Sequence, residues 1–578
     1  MGKRISFGLN ADNYYDRGVE EADEGKYIEA ISDLYLALEL DPGNIYIMSE
    51  MAYAYYDLGL VKQAIKVYYR ILDADKYSDI AYIGLMQSFV HENRLVSALY
   101  YLNLGIENGV LDTDYDPAED FSIADIEEKQ PAFRVLRGTN HESAVNLAKR
   151  MTLTGEYDLA GKILDVVPEN SEQYVDARNH IALLSLAKGD FATSEANARA
   201  IIEKDPGNAC AYCTLVMACR AGGKTEEVKE ALRMLDALDV KDRESVARVA
   251  ACAMEEGDDE MTVKYYGRLF DFTPYECEPT LIYAEALFNI GRKEDARSYV
   301  TALRRLYPDD GTVTYYARLI NDPKTEHITL NYDIPQQEID RRINYIEDKF
   351  SELADVEKVV DAMYYDEELY DTVIWLLFSN EYVIAKHVGS FLCQSELWQP
   401  FILDRLIDPD VLPATKKEYL LSYLRYSHVK RFSLLVGDVM LFFTPRKPKC
   451  DDNFALQDAY WEAFATCAFV SPAFQPKLNK IYKKVVDVMN NPDFVPIKID
   501  VIVLAAVMTR LSGAHPVFYG KEHCCEIYNI KTEDYDKYIA MLGLADDDRR
   551  ADKRERAEKA KDASPEDKKT TKTKENKQ

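Results

Sequence analysis

The chain has 578 residues, of which 47% are hydrophobic, and it carries a formal net charge of −30 at pH 7. So strong a negative charge repels phosphate backbones and anionic lipids, which excludes non-specific binding to nucleic acids or membranes. Apolar stretches such as Val501 to Met508 are too short to span a bilayer, and no apolar run follows the first basic residues, so we expect no secretory signal. Ten scattered cysteines, mostly inside apolar helical patterns, indicate reduced thiols and a cytoplasmic protein.

Three sets of residues recur along the chain with a period of 34 residues. The first set consists of small residues: Gly18, Ala52, Ala148, Ala182, Ala250 and Ala284. The second set, seven residues later, consists of glycine or asparagine: Gly25, Gly59, Asn93, Gly155, Gly189, Gly223, Gly257 and Gly291. The third set follows five residues later: Ala30, Ala64, Ala98, Ala160, Ser194, Val228, Thr262 and Ala296. This period is typical of stacked helical hairpins, and glycine or asparagine at a left-handed C-cap would end the first helix of each.

The segment from Ala11 to Asn44 resembles a tetratricopeptide repeat over its whole length. The residues that match the pattern of that family are Tyr14, Gly18, Gly25, Ala30, Leu34, Ala37 and Pro42. We count three copies over residues 11–112, and five copies with a capping helix near Thr312 to Ile320 over residues 141–320. The resemblance implies an all-α fold, a tetratricopeptide-type α-solenoid in which helical hairpins form a superhelix.

The other parts of the chain lack the period. Residues 113–140 are acidic, which predicts a linker or a degenerate repeat. The functional alternative is an acidic arm that docks on a basic partner or folds back across the groove. Residues 321–335 are polar and contain proline, which predicts a hinge. Residues 336–545 have apolar residues at helical spacing and no alternating strand pattern, so we expect an irregular helical domain. Residues 546–578 are charged and almost free of apolar residues, which predicts disorder.

Candidate catalytic motifs are weak, and we expect no catalytic site, metal or cofactor. Gly222-Gly223-Lys224-Thr225 is similar to the end of a phosphate-binding loop, but Ala218 stands where such a loop needs its first glycine. His515 and His523 lie near Cys524 and Cys525, yet adjacent cysteines rarely bind one zinc ion with good geometry. We therefore interpret this cluster as structural.

The family resemblance implies that the first helix of each hairpin lines a concave surface where partners bind. Helical spacing puts four tyrosines and four other side chains of the first three repeats on this wall: Tyr15, Tyr46, Ser49, Tyr53, Tyr56, Ile83, Gln87 and His91. The second run contributes three polar side chains: Lys149, Asn179 and Arg220. Tyrosine combines a large apolar area with a hydroxyl group and suits peptide recognition, although some of these rings could simply pack between repeats.

The expected function is a non-enzymatic adaptor or scaffold that binds a protein, as a peptide or a helix, in the concave groove. One alternative is a regulator that responds to a peptide or another ligand, with the second run as sensor and the C-terminal half as output. Another is an enzyme in the C-terminal half, for which a metal held by His515, His523 and Cys525 would be the sign.

Overall fold

The computed structural model describes residues 10–111, 145, 148–149, 152, 157–378, 382–428, 431–445, 453–469, 472–492, 494, 498–513 and 520–562. These residues are predominantly helical, which confirms the predicted all-α solenoid class. The expected acidic linker at residues 113–140 lies outside the described residues. The chain divides into two units, Met1–Asn344 and Tyr345–Gln578.

The first run of repeats consists of three antiparallel helical hairpins. Its helices are α1 Ala11–Asp23, α2 Tyr27–Leu40, α3 Ile45–Asp57, α4 Val61–Ala74, α5 Asp79–His91 and α6 Leu95–Glu107. Each hairpin turns at a residue of the predicted second set: φ is 76° at Gly25, 85° at Gly59 and 59° at Asn93. This left-handed conformation is open to glycine and tolerated by asparagine, which explains why the turn recurs at these residues.

The second run repeats the same construction and ends in a single helix. Its described helices are α7 Tyr157–Asp165, α8 Tyr174–Ala187, α9 Phe191–Lys204, α10 Ala209–Ala221, α11 Thr225–Asp236, α12 Arg243–Glu255, α13 Asp259–Phe272, α14 Cys277–Asn289, α15 Lys293–Leu306 and α16 Gly311–Asn321. Asn208, Asp242 and Asp310 cap three of the first helices, because each side chain accepts a hydrogen bond from a backbone N–H of the first turn.

The small residues of the repeat pattern hold the two helices of each hairpin close together. Ala52, Ala182 and Ala284 of the first set are fully buried, and Ala64 and Ala296 of the third set are buried opposite them. A larger side chain at these positions would push the helices apart, since protein interiors leave no voids to receive it. The 34-residue period is therefore a packing requirement.

The first run packs against the last repeat of the second run. The Tyr35 hydroxyl on α2 donates a hydrogen bond of 2.6 Å to the Asp309 carboxylate, which follows α15. Arg305 on α15 forms an ion pair of 3.4 Å with Glu29 on α2. The sequence pattern carries no sign of this contact, because the residues involved are more than 270 positions apart.

The stretch that the sequence predicts as a hinge, residues 321–335, contains apolar side chains that the structure covers. Ile328 and Ile334 are 3% and 2% exposed, respectively, and Leu330 packs against the apolar core of the second run. This segment runs without helix from the end of α16 to the start of α17, Gln336–Leu353, and its backbone accepts hydrogen bonds from Asn289 of α14, Lys293 of α15 and Tyr316 of α16. The hinge itself stays a prediction.

The unit Tyr345–Gln578 is mainly helical and includes one hairpin. Its elements after α17 are α18 Val356–Met363, α19 Glu367–Phe378, α20 Tyr382–Leu392, α21 Gln399–Ile407, α22 Pro413–Tyr426, β1 Phe432–Val436, β2 Val439–Phe443, α23 Phe454–Ala468, a short 3-10 turn at Pro472–Phe474, α24 Gln475–Met489, α25 Val501–Ser512, α26 Lys521–Ile527, α27 Thr532–Met541 and α28 Ala545–Asp562.

The β-hairpin corrects the expectation of a purely helical second half. Phe432 pairs with Phe443 and Val436 with Val439, so that only Gly437 and Asp438 form the turn. Gly437 has a φ of 58°, the left-handed conformation that a tight two-residue turn requires. The rings of Phe432 and Phe443 stack with centroids 4.9 Å apart, which anchors the hairpin in the core.

The last described helix corrects the expectation that residues 546–578 are disordered throughout. Residues 546–562 lie in α28, and residues 563–578 lie outside the described residues. Arg510 of α25, whose side chain is fully buried, forms ion pairs with Asp548 and Asp552 of this helix. These ion pairs and the buried Ala551 attach α28 to the unit, and composition alone does not reveal such an attachment.

Candidate functional site

The candidate site in the first run is a wall of aromatic side chains on α3 and α5. The rings of Tyr56 and His91 meet edge to face, with centroids 5.9 Å apart, so two residues that the sequence placed on the wall lie together. Tyr46 and Tyr53 on α3 are 73% and 44% exposed, respectively. Rings with this much free surface offer contact area to a partner at a low cost in side-chain entropy.

A buried tyrosine of the second helix supports this wall. Tyr68 on α4 meets Tyr53 edge to face, with centroids 6.5 Å apart. Its ring fills the space above Gly84 of α5, where an added Cβ atom would come within 2.3 Å of the ring. Burial, with smaller contributions from Tyr53 and Tyr56, raises the pKa of Tyr68. Glycine at position 84 is therefore required for the ring that holds the wall in position.

The floor of the first-run groove is half-buried and acidic. Tyr15 on α1 is partly covered, and burial followed by the charge of Glu50 raises its pKa. Glu50 on α3 has a pKa raised first by its own burial and then by Asp23. Ile83 and Gln87 on α5 are half-buried, as residues at the edge of a packed interface would be. Glu50 lies one turn from Tyr46 on the same helix.

Two of the predicted groove residues are buried and unavailable to a partner. Ser49 lies on the packed side of α3, next to the buried Met48. Asn179 on α8 donates a hydrogen bond of 3.3 Å to the Asn208 side chain, which caps the next first helix. Helical spacing alone cannot separate the groove from the contact between adjacent repeats, because the two surfaces meet on one helix face.

The two predicted cations of the second run are already paired with acidic groups. Lys149 lies 3.8 Å from the Asp176 carboxylate. Arg220 donates to the Glu255 carbonyl oxygen at 3.0 Å and to the Glu256 carboxylate at 3.1 Å. Because both charges are compensated within the protein, they do not form a ready-made receptor for a terminal carboxylate.

A cleft of about 460 Å³ lies where α2 meets α15. Its lining includes Glu29, Glu294, Arg297 and Arg305. Arg297 pairs with Glu294, and Arg305 pairs with Glu29. The two arginines are therefore committed to carboxylates of the same cleft, which makes it a poor site for an anion.

The second run carries a feature outside the predicted groove residues, namely the non-helical segment at residues 325–334, which bends at Tyr332 and Asp333. The Asn289 side chain on α14 accepts a hydrogen bond from the Ile328 backbone N–H and donates one to the Ile328 carbonyl oxygen, both at 2.8 Å. The Tyr316 hydroxyl on α16 donates to the Asp333 carbonyl oxygen at 3.0 Å. The alternating apolar residues Ile328, Leu330 and Ile334 were the available signal.

Glu285 lies in the helix beneath this segment. Its side chain is fully buried on α14, and burial raises the pKa of the carboxyl group well above its usual value, while the Asn331 backbone N–H lowers it only in part. Burial, and to a smaller extent the charge of Glu285, raises the pKa of the hydroxyl groups of Tyr266 and Tyr316. Burial in an apolar site therefore favours the neutral form of the Glu285 carboxyl group.

The histidine and cysteine cluster near the end of the chain lies only partly within the described residues, because His515 lies outside them. His523 is exposed and contacts Glu526 at 3.4 Å. Cys524 and Cys525 are buried, and burial raises the pKa of the Cys524 thiol to about 12. Within the described part of the chain, no three histidine, cysteine or acidic side chains are grouped as a metal site would require.

None of the described helices combines the length and apolar character needed to cross a bilayer.

Comparison with known proteins points to one family. Residues 21–115 match the family Tetratricopeptide repeat, and this range includes α2 to α6 of the first run. No curated protein matches the chain.

Several solved structures resemble the chain at low identity. One is a tetratricopeptide repeat protein from Parabacteroides merdae, 14% identical over 48% of this chain and 97% of that chain, with a TM-score of 0.22. Another is the TPR domain of P58(IPK), 13% identical over 67% of this chain and 93% of that chain, with a TM-score of 0.18. A third is Naa15/Naa10 bound to HypK-THB, 12% identical over 92% of this chain and 68% of that chain, with a TM-score of 0.28. TM-scores this low carry no argument about function.

Proposed function

Because residues 21–115 match the tetratricopeptide repeat family, we propose that this chain is a non-enzymatic adaptor that binds a protein partner in the groove of its first three repeats. The observation that carries the proposal is the edge-to-face contact between Tyr56 and His91, on neighbouring first helices. Beside that pair, Tyr46 and Tyr53 keep large exposed areas. An aromatic surface of this kind can bury an apolar side chain of a peptide or helix and still satisfy its polar atoms.

The charge of the first run supports a partner segment that carries lysine or arginine. Residues 11–111 contain 17 acidic and 7 basic side chains. Glu50 and Tyr15 lie together on the groove floor, where a basic side chain would meet a carboxylate and an aromatic ring. Electrostatic complementarity of this type speeds association and weakens as salt is added.

The test compares three versions of the full chain in affinity purification: wild type, the double variant Tyr53→Ala with Tyr56→Ala, and Tyr77→Ala. Tyr77 is an exposed tyrosine in the turn between the second and third repeats and serves as the matched control. A protein lost only from the double variant is then produced, and its Kd is measured. We expect the Kd to rise at least about tenfold in the double variant, because truncating a central aromatic anchor typically costs more than 1 kcal/mol. Equal binding to all three versions would contradict the proposal.

A second candidate function is a regulator that uses the second run as a sensor and the C-terminal half as output. One observation favours it: the second run carries the non-helical segment at residues 325–334. We also propose a cytoplasmic location, which is supported by the nine described cysteines, all unpaired and most of them buried.

A further inference from the structure

The segment Thr325–Ile334 contacts the second run in the way a bound peptide contacts its receptor. Asn289 bonds both the N–H and the carbonyl oxygen of Ile328, the same pair of bonds that a neighbouring β-strand would supply. The Asn289 amide is itself held by Asp259, which accepts a second hydrogen bond from it at 2.9 Å. A receptor side chain that is oriented in advance loses little entropy when it binds a backbone.

The side chains of the segment alternate between the protein and the solvent around Ile328. Ile328 is buried, Thr329 is exposed, and Leu330 packs against the core of the second run. Ile334 is again buried. The surface therefore recognises a non-helical backbone with apolar side chains at its first, third and seventh positions.

Further contacts fix the direction of the segment. Lys293 donates to the Thr325 carbonyl oxygen at 3.4 Å near one end, and Tyr316 donates to the Asp333 carbonyl oxygen near the other. His327 lies 3.3 Å from Asp259. Most of these contacts are made to backbone atoms, so a segment of different sequence could make them equally well.

We propose that the face formed by α14, α16 and the first residues of α13 and α15 is a second binding site, for an apolar, non-helical segment of a partner protein, and that residues 325–334 occupy this site as an internal competitor. The proposal does not depend on the groove of the first run, because the two faces share no residue. Its partner is an unstructured segment with a β-branched residue at the Ile328 position and an apolar residue two positions later.

Internal occupancy lowers the apparent affinity for such a partner. A segment that is joined to its site by a few residues competes at an effective concentration in the millimolar range. The apparent Kd of an external peptide equals its intrinsic Kd divided by the fraction of the protein in which the site is free. Weakening the internal segment without changing the site should therefore increase binding of a peptide added in solution.

The experiment uses a fluorescein-labelled peptide of residues 322–335 and measures its binding to the full chain by fluorescence anisotropy. The variant Ile328→Asp removes the main anchor of the internal segment, and Thr329→Asp puts the same charge one residue away on the exposed side. We expect Ile328→Asp to bind the peptide at least about tenfold more tightly than wild type, and Thr329→Asp to resemble wild type. Adding Asn289→Ala to Ile328→Asp should abolish the gain, since the site itself then lacks its backbone contact.

The proposal is overturned if Ile328→Asp and Thr329→Asp bind the peptide equally, or if Asn289→Ala leaves the gain intact. Should Ile328→Asp fail to fold, hydrogen exchange of the wild-type chain gives the answer. The Ile328 amide is bonded to Asn289, so excess peptide should accelerate its exchange, whereas unchanged exchange at millimolar peptide would refute displacement. The label gives the added peptide a different mass and keeps the two segments distinguishable.

Discussion

The Tyr55 hydroxyl donates a hydrogen bond of 2.8 Å to the Leu306 carbonyl oxygen, although the two residues are 251 positions apart. Leu306 is the last residue of α15, and its carbonyl oxygen has no partner within that helix. Tyr55 is buried on α3 and satisfies this oxygen where water is excluded. The bond therefore couples the second repeat to the eighth.

Replacing Tyr55 with phenylalanine should weaken the contact between the two runs. The change leaves a buried carbonyl oxygen without its donor, which costs about 1–3 kcal/mol. We expect faster native-state hydrogen exchange in α2 and α15, while the control Tyr46→Phe, at an exposed position, should change neither. Equal exchange in the two variants would argue that Tyr55 does not hold the runs together.

The repeat turns allow a matched test of two glycines. Gly257 has a φ of 71°, and a Cβ atom added there would meet no other atom within 4 Å. The variant Gly257→Ala is therefore strained only in its backbone, which should lower the free energy of unfolding by about 1–2 kcal/mol. Gly161 lies inside α7, also with open space, so Gly161→Ala should stabilise the protein by about 0.5–1 kcal/mol. Chemical denaturation measures both, and effects of the same sign would be inconsistent with this explanation.

The buried carboxyl group of Glu285 should make the free energy of unfolding depend on pH. Its folded-state pKa is raised by burial, so the stability contributed by the neutral carboxyl group is complete below the unfolded-state pKa and is lost as the pH rises through the folded-state pKa. Glu285→Gln cannot ionise. Its melting temperature should therefore exceed that of the wild type by more at pH 8 than at pH 5. The exposed control Glu260→Gln should show no such trend, and a constant difference for Glu285→Gln would contradict the assignment.

Arg510 makes the attachment of the last helix testable. Its buried guanidinium is paired with Asp548 and Asp552, and Tyr535 donates to Asp548 at 3.0 Å. Asp548→Asn removes one of the two carboxylates that neutralise the buried Arg510 guanidinium. The change should destabilise the unit Tyr345–Gln578 by about 3 kcal/mol. Asp546→Asn changes an exposed carboxylate two residues earlier and should cost less than about 0.5 kcal/mol. Limited proteolysis at α28 reports the difference.

The sequence was sufficient to predict the repeats because their period reflects local rules. A left-handed turn needs glycine or asparagine, which is why Gly25, Gly59 and Asn93 recur in phase. Close helices need small residues, which is why Ala64 and Ala296 are buried. Both requirements act within one hairpin, so they can be recognised without knowledge of the tertiary structure.

The features that the sequence did not predict depend on contacts between distant residues. Asn179 has groove spacing, but it bonds Asn208 of the next repeat. Segment Thr325–Ile334 has the composition of a hinge, but Asn289 gives its backbone a partner. The hairpin turn at Gly437 was a local signal that the helical interpretation of its surroundings obscured.

The most direct test of the adaptor proposal is site-specific photocrosslinking in cells. Tyr53 is replaced with p-benzoylphenylalanine in one version of the chain, and Tyr77 is replaced in the control. If partners bind in this groove, one protein crosslinks from position 53 and is absent from the products at position 77. No crosslinked protein at position 53, or the same protein from both positions, would contradict the assignment of the binding site to the groove of the first three repeats.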